Sequence, residues 1–195
     1  MEVIPDDGHY ELAMRSQAGA EERLRALGAL DEIEQAVLAH CEEHRPSPPY
    51  KPQLIKARLA PLGWQPEVRV PPYDPGFDDK LRINERYDAL KFFETPGGQV
   101  GVALEMEGWE ILNDLLKFRR GVARGQIEIG AILQPFYADT YYCFEHMRHL
   151  NEPLVGDIPI LFCCPRGPGL KEPAKVRAVT YQPYVMPRKA DDRGG

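Results

Sequence analysis

Three acidic residues have the types and spacing to do chemistry: Asp88, Glu105 and Glu107. Glu105 and Glu107 close an apolar run, Val100-Gly101-Val102-Ala103-Leu104, with Met106 between them, and Asp88 stands 17 positions before Glu105 (105 − 88). A strand alternates its side chains, so the two glutamates share one face about 7 Å apart, while Val102 and Leu104 pack on the other. Two like charges at that spacing gain nothing from each other. Three converging carboxylates are the donors that hard divalent cations such as Mg²⁺ take. Such a cation would make a nearby water more acidic and neutralise charge on a phosphate during transfer. The Met106 carbonyl is a further oxygen donor, and Glu107 is either a ligand or the group that orients the attacking water. The plain alternative is that all three are surface carboxylates on an edge strand.

Several elements would have to position these groups. Thr95-Pro96-Gly97-Gly98 is a tight turn, so residues 86–93 and 99–107 are expected to pair as an antiparallel hairpin. A strand at 64–70 is marked by Trp64, Pro66, Val68 and Val70 alternating with Gln65, Glu67 and Arg69. Before it, residues 52–62 suit a short helix with Leu54, Ile55, Leu59 and Leu62 inward, closed by Gly63. A helix over 111–124 follows the hairpin, then an apolar strand at 126–134. A further helix is expected at 139–150, with strands at 157–164 and 175–184. At the N-terminus, residues 11–44 are rich in Ala, Glu, Leu and Arg, which favour helix. Leu24, Leu27, Leu30, Ile33, Val37 and Cys41 form an apolar stripe there, which Gly28 interrupts. This order fits an α/β (α+β) fold, a mixed sheet with helices on both sides.

The 195 residues suit a single domain, with a helical region at 11–45 and a loose tail at 187–195. A formal net charge of −6 argues against a simple nucleic-acid coat, though not against an enzyme with a local basic face. No apolar run is long enough to cross a membrane. Cys41, Cys143, Cys163 and Cys164 include no CxxC pair, and no secretory signal is present, so they read as reduced thiols of a cytoplasmic protein. His146 and His149 share a helical face as a metal pair could, but without a third ligand in sight. Lys117, Arg119, Arg120 and Arg124 fall on or just after the 111–124 helix. They could reach a phosphate backbone or simply be solvated.

Residues 62–135 resemble the catalytic core of the PD-(D/E)xK nuclease superfamily, and more narrowly the BamHI/BglII group of type II restriction endonucleases. The resemblance rests on Asp88 followed by Val102-Ala103-Leu104-Glu105-Met106-Glu107. It also rests on Leu62-Gly63-Trp64, on Asp114-Leu115-Leu116-Lys117-Phe118 and on Gly125-Gln126-Ile127-Glu128-Ile129-Gly130-Ala131-Ile132-Leu133. It implies a restriction-endonuclease-like fold, Mg²⁺ (or Mn²⁺) as cofactor, double-stranded DNA as substrate and a homodimer matched to a palindromic site. By the same resemblance Asp88 and Glu105 would bind the metal, Met106 would lend its carbonyl, and Glu107 would stand where most of the superfamily has lysine. A further acidic ligand is expected upstream, with Glu67 the candidate and Glu85 its rival. The proline that commonly precedes the first acid is replaced by Tyr87. Two alternatives stand beside the endonuclease. One is a nuclease-fold DNA-binding or protein-interaction module without catalysis. The other is an assembly protein dimerising through its N-terminal helices.

Overall fold

The computed structural model describes residues 8–72, 85–106, 111–134 and 156–170. Its strands are β1 (Glu11–Gln17), β2 (Gln65–Arg69), β3 (Arg86–Thr95), β4 (Gly98–Glu105), β5 (Ile129–Leu133) and β6 (Ile160–Arg166). Its helices are α1 (Ala20–Ala26), α2 (Ala29–Glu43), α3 (Pro52–Leu59) and α4 (Ile111–Ala123), with a 3₁₀ turn at Ala60–Leu62 after α3. The strands form one six-stranded sheet in the order β1-β6-β5-β4-β3-β2. β4, β5 and β6 run parallel, and β2, β3 and β1 are added antiparallel at the two sides.

The hairpin forms where expected. β3 and β4 pair in a continuous register from Ala89↔Leu104 to Thr95↔Gly98, around the Pro96-Gly97 turn. Gly63 caps the 3₁₀ turn with φ 92, a left-handed value that suits glycine. Gly28 takes φ 72 and separates α1 from α2. Five of the six residues of the N-terminal stripe are fully buried, Leu27 being the partly buried exception.

Two expectations are corrected. The region 11–45 is not helical throughout, because Glu11–Gln17 is an edge strand paired with β6. Its Ala, Leu and Met favour helix locally, but the open edge of β6 offers a full ladder of backbone partners, and that tertiary gain overrides propensity. The strand expected at 126–134 begins only at Ile129, and all five of its residues are buried. Lying between parallel neighbours with helices on both faces, β5 has no wet side and so no alternation. The elements expected at 139–150 and 175–184, the tail at 187–195, Cys143, His146 and His149 lie outside the described residues. Cys41, Cys163 and Cys164 are buried thiols that form no disulfide among the described residues.

The core lies in two layers. α1, α2 and α3 cover one face of the sheet with Leu24, Ile33, Val37, Ile55 and Leu59, against Val102, Leu104 and Leu133. α4 covers the other with Leu115 and Phe118, against Leu90, Ala103 and Ile132. Glu32 of α2 ties the first layer to β3, accepting bonds from Trp64 Nε1 (2.8 Å) and Lys91 Nζ (2.6 Å). No helix among the described residues is long and apolar enough to cross a membrane.

Candidate active site

Asp88 and Glu105 meet where β3 and β4 end their pairing. The last paired step is Ala89↔Leu104, so Asp88 and Glu105 are the next residues on the two strands, near enough for the Asp88 charge to act on Glu105. Asp88 is clamped: its Oδ2 accepts the Met106 N–H at 2.7 Å and its Oδ1 lies 3.0 Å from Lys56 Nζ. Lys56 comes from α3, and its Nζ is also 2.6 Å from Glu67 Oε1 on β2. Lys56 therefore joins Asp88 to Glu67. Glu85, the rival upstream acid, is instead ion-paired with Arg120 of α4.

The strand pairing is disturbed at the same point. β2 and β3 pair through Pro66↔Ala89 and then Val68↔Tyr87, skipping Glu67 and Asp88. Glu67 has φ 55, an uncommon conformation for a residue with a side chain. Tyr87 and Leu90 both pack towards α4, whereas strict alternation would send them to opposite faces. The irregularity at 87–88 takes Asp88 out of the regular pleat.

Glu105 lies on the α4 face and is 1% exposed. Its Oε1 is 2.7 Å from Lys117 Nζ, which is also 2.9 Å from Asp114 Oδ1 and donates to the Arg86 carbonyl at 3.2 Å. Asp114, Lys117 and Gly121 recur at helical spacing and so share the face of α4 turned to the sheet. Glycine keeps that approach close. A Cβ on Gly121 would stand 2.1 Å from the Tyr87 hydroxyl, which donates to the Lys117 carbonyl, and one on Gly130 would stand 2.4 Å from the Phe118 ring.

Burial, followed by the charge of Asp114, pushes the Glu105 carboxyl up to about 8, although Lys117 opposes the shift. Burial works against the Lys117 charge too, but Glu105 and Asp114 outweigh it and hold its pKa above the ordinary value. Two carboxylates share one ammonium in this cluster. The folded protein therefore keeps a proton that the unfolded chain releases near pH 4.5. Stability of the metal-free protein is expected to fall as pH rises from about 4.5 through about 8, because the native state binds more protons across that window. Melts in EDTA across this range check it, and Glu105→Gln is expected to flatten the slope.

The donor chemistry fits a hard cation: Asp88, Glu105 and the Met106 carbonyl are all oxygen donors, and a cation would offset both the burial and the neighbouring acids that raise Glu105. Among the described residues no three acidic groups are gathered as a ready-made metal cluster. Glu107 lies outside the described residues. The structure moves two of the four basic residues away from a surface role. Lys117 is held against Glu105 and Asp114, and Arg120 is 5% exposed against Glu85. Arg119 and Arg124 are exposed. Lys56 is the site residue that sequence reasoning missed. In sequence it is one lysine among the apolar residues of a short helix, 32 positions from the acid it meets.

The fold is that of the restriction endonucleases. A crystal structure of the restriction endonuclease BglII complexed with a DNA 16-mer superposes with a TM-score of 0.56 at 17% identity, covering 85% of this chain and 80% of that one. A structure of free BglII gives a TM-score of 0.46 at the same identity, covering 85% and 81%. No protein-family model matches the chain, and no curated protein matches it in sequence.

Proposed function

We propose that this chain is a Mg²⁺-dependent endodeoxyribonuclease that hydrolyses phosphodiester bonds in double-stranded DNA, working in the cytoplasm as a homodimer. The observation that carries the reading is the presence of Asp88 and Glu105 together at the end of the β3–β4 hairpin, on a fold shared with a DNA-bound restriction endonuclease. Asp88, Glu105 and the Met106 carbonyl would hold the ion, with Glu67 within reach through its shared lysine. Bound there, Mg²⁺ (or Mn²⁺ in its place) supplies charge neutralisation at the phosphate and a more acidic water. The Met106 N–H fixes the orientation of Asp88. The Asp114–Lys117 pair fixes Glu105 and keeps water from its buried oxygens. Glu107 would orient the attacking water, and Arg119 and Arg124 would meet the DNA backbone.

One observation favours a second reading. Both carboxylates already have a lysine partner, as they would in a nuclease-fold module that binds DNA without cutting it. Incubation with mixed-sequence plasmid and phage DNA separates the two. Discrete fragments in Mg²⁺ or Mn²⁺, and none in EDTA, are the expected result. A folded protein that leaves DNA intact with either metal, and whose melting temperature neither metal raises, is the binding module.

A further inference from the structure

A phosphodiester approaching Asp88, Glu105 and Glu67 would meet acidic side chains on β3, β4 and β2, so a cation must come from elsewhere in the chain. Two ammonium groups stand at the carboxylates. An ammonium has three donors. Those of Lys117 face Glu105, Asp114 and the Arg86 carbonyl, beneath α4. Lys56 has two partners among the described residues, Glu67 and Asp88, which leaves one donor. Lys56 is itself 14% exposed, but its partner Glu67 is 52% exposed, whereas the partners of Lys117, Glu105 and Asp114, are 1% and 2% exposed, so the Lys56 pair is the one that opens to solvent.

The backbone supports a functional role for this lysine. Glu67 adopts a positive φ and drops out of the β2–β3 pairing opposite Asp88, and its carboxylate meets Lys56. A residue with a side chain is strained in that region, and such outliers gather at functional sites. A lysine wanted only as a counter-ion for Asp88 would need neither the outlier nor the second carboxylate.

Resting on the nuclease reading, we propose that Lys56 is a catalytic residue whose ammonium donates to a non-bridging oxygen of the scissile phosphate, with Glu67 as the positioning residue that aims it. Lys56 moves no proton. It stabilises charge that grows on the phosphate, as a preorganised donor does.

The test uses the full chain, with single-turnover cleavage in Mg²⁺, DNA binding in Ca²⁺, and melting temperature. Lys56→Met is expected to slow cleavage by about 10²–10³-fold, the range for loss of one such donor, with DNA affinity changed by less than ~3-fold. Lys56→Arg keeps the charge and is expected to recover most of that rate. Sulfur in place of a non-bridging oxygen is expected to slow the wild type more than Lys56→Met, an effect that a purely structural lysine would not produce. A Lys56→Met protein that cleaves like the wild type overturns the assignment. So does equal sensitivity of both proteins to sulfur. A wild type that cleaves with neither Mg²⁺ nor Mn²⁺ overturns the nuclease reading itself, and this assignment with it.

Discussion

Asp88→Asn is expected to lower the Mg²⁺-dependent cleavage rate by roughly 10³-fold or more, equivalent to about 4 kcal/mol of barrier, while the protein stays folded. The change is isosteric. An asparagine oxygen can still accept the Met106 N–H that Asp88 now accepts at 2.7 Å, so the end of β4 keeps its tether. What is lost is the charge, and with it the strongest interaction available to a hard cation at this position. The uncharged amide also releases Lys56 from one of its two ion pairs. Glu105→Gln is expected to match it in rate and to raise the stability of the metal-free protein at neutral pH. A buried amide has no charge to desolvate and leaves Asp114 alone with Lys117, which removes the burial cost and the repulsion that raise Glu105. Rates and melting temperatures measured on the same preparations check both. Asp88→Asn cutting DNA at the wild-type rate would remove Asp88 from the site and assign the cleavage to other residues.

The parts of this site legible in the sequence were those fixed by local rules. A Pro-Gly turn and an apolar run sufficed to pair β3 with β4, and the pairing brings Asp88 and Glu105 to the same end of the hairpin. The helical spacing of Asp114, Lys117 and Gly121 likewise follows from residue numbers. Direction in space did not. Lys117 and Arg120 were grouped with Arg119 and Arg124 as surface cations, yet α4 turns the first two towards Glu105 and Glu85. Which side of a helix faces inward depends on the partner acids, and these lie on β4 and just before β3. β1 was illegible for a related reason: its partner, β6, lies roughly 150 residues further on, and nothing within 11–17 announces it. Lys56 needed α3, β2 and β3 to be assembled before its two carboxylates could be seen.

Gly101→Ala is expected to destabilise the protein by about 3 kcal/mol, the upper end for overpacking. For a domain of this size that lowers the melting temperature by roughly 6–12 °C. Glycine inside a strand marks a close approach of another backbone, and here that backbone is the segment entering β5. A Cβ on Gly101 would stand 2.2 Å from the Gln126 carbonyl oxygen and 3.0 Å from Ile127 Cα. Both are main-chain atoms, so no rotamer change relieves the contact. Moving the segment would stretch the bond from the Glu128 N–H to the Gly101 carbonyl, now 2.8 Å, and disturb the first β4–β5 pair, Val102↔Ile129. That ladder ends at Glu105↔Ile132, so the strain reaches the carboxylate. Gly97→Ala is the matched control, since its added Cβ would meet only Thr95 Oγ1 at 3.8 Å, and a change within about 0.5 kcal/mol is expected there. Equal urea midpoints for the two variants would mean that the β4–β5 crossing is looser than described. Glu105 would then owe its position to Lys117 and Asp114 rather than to the sheet.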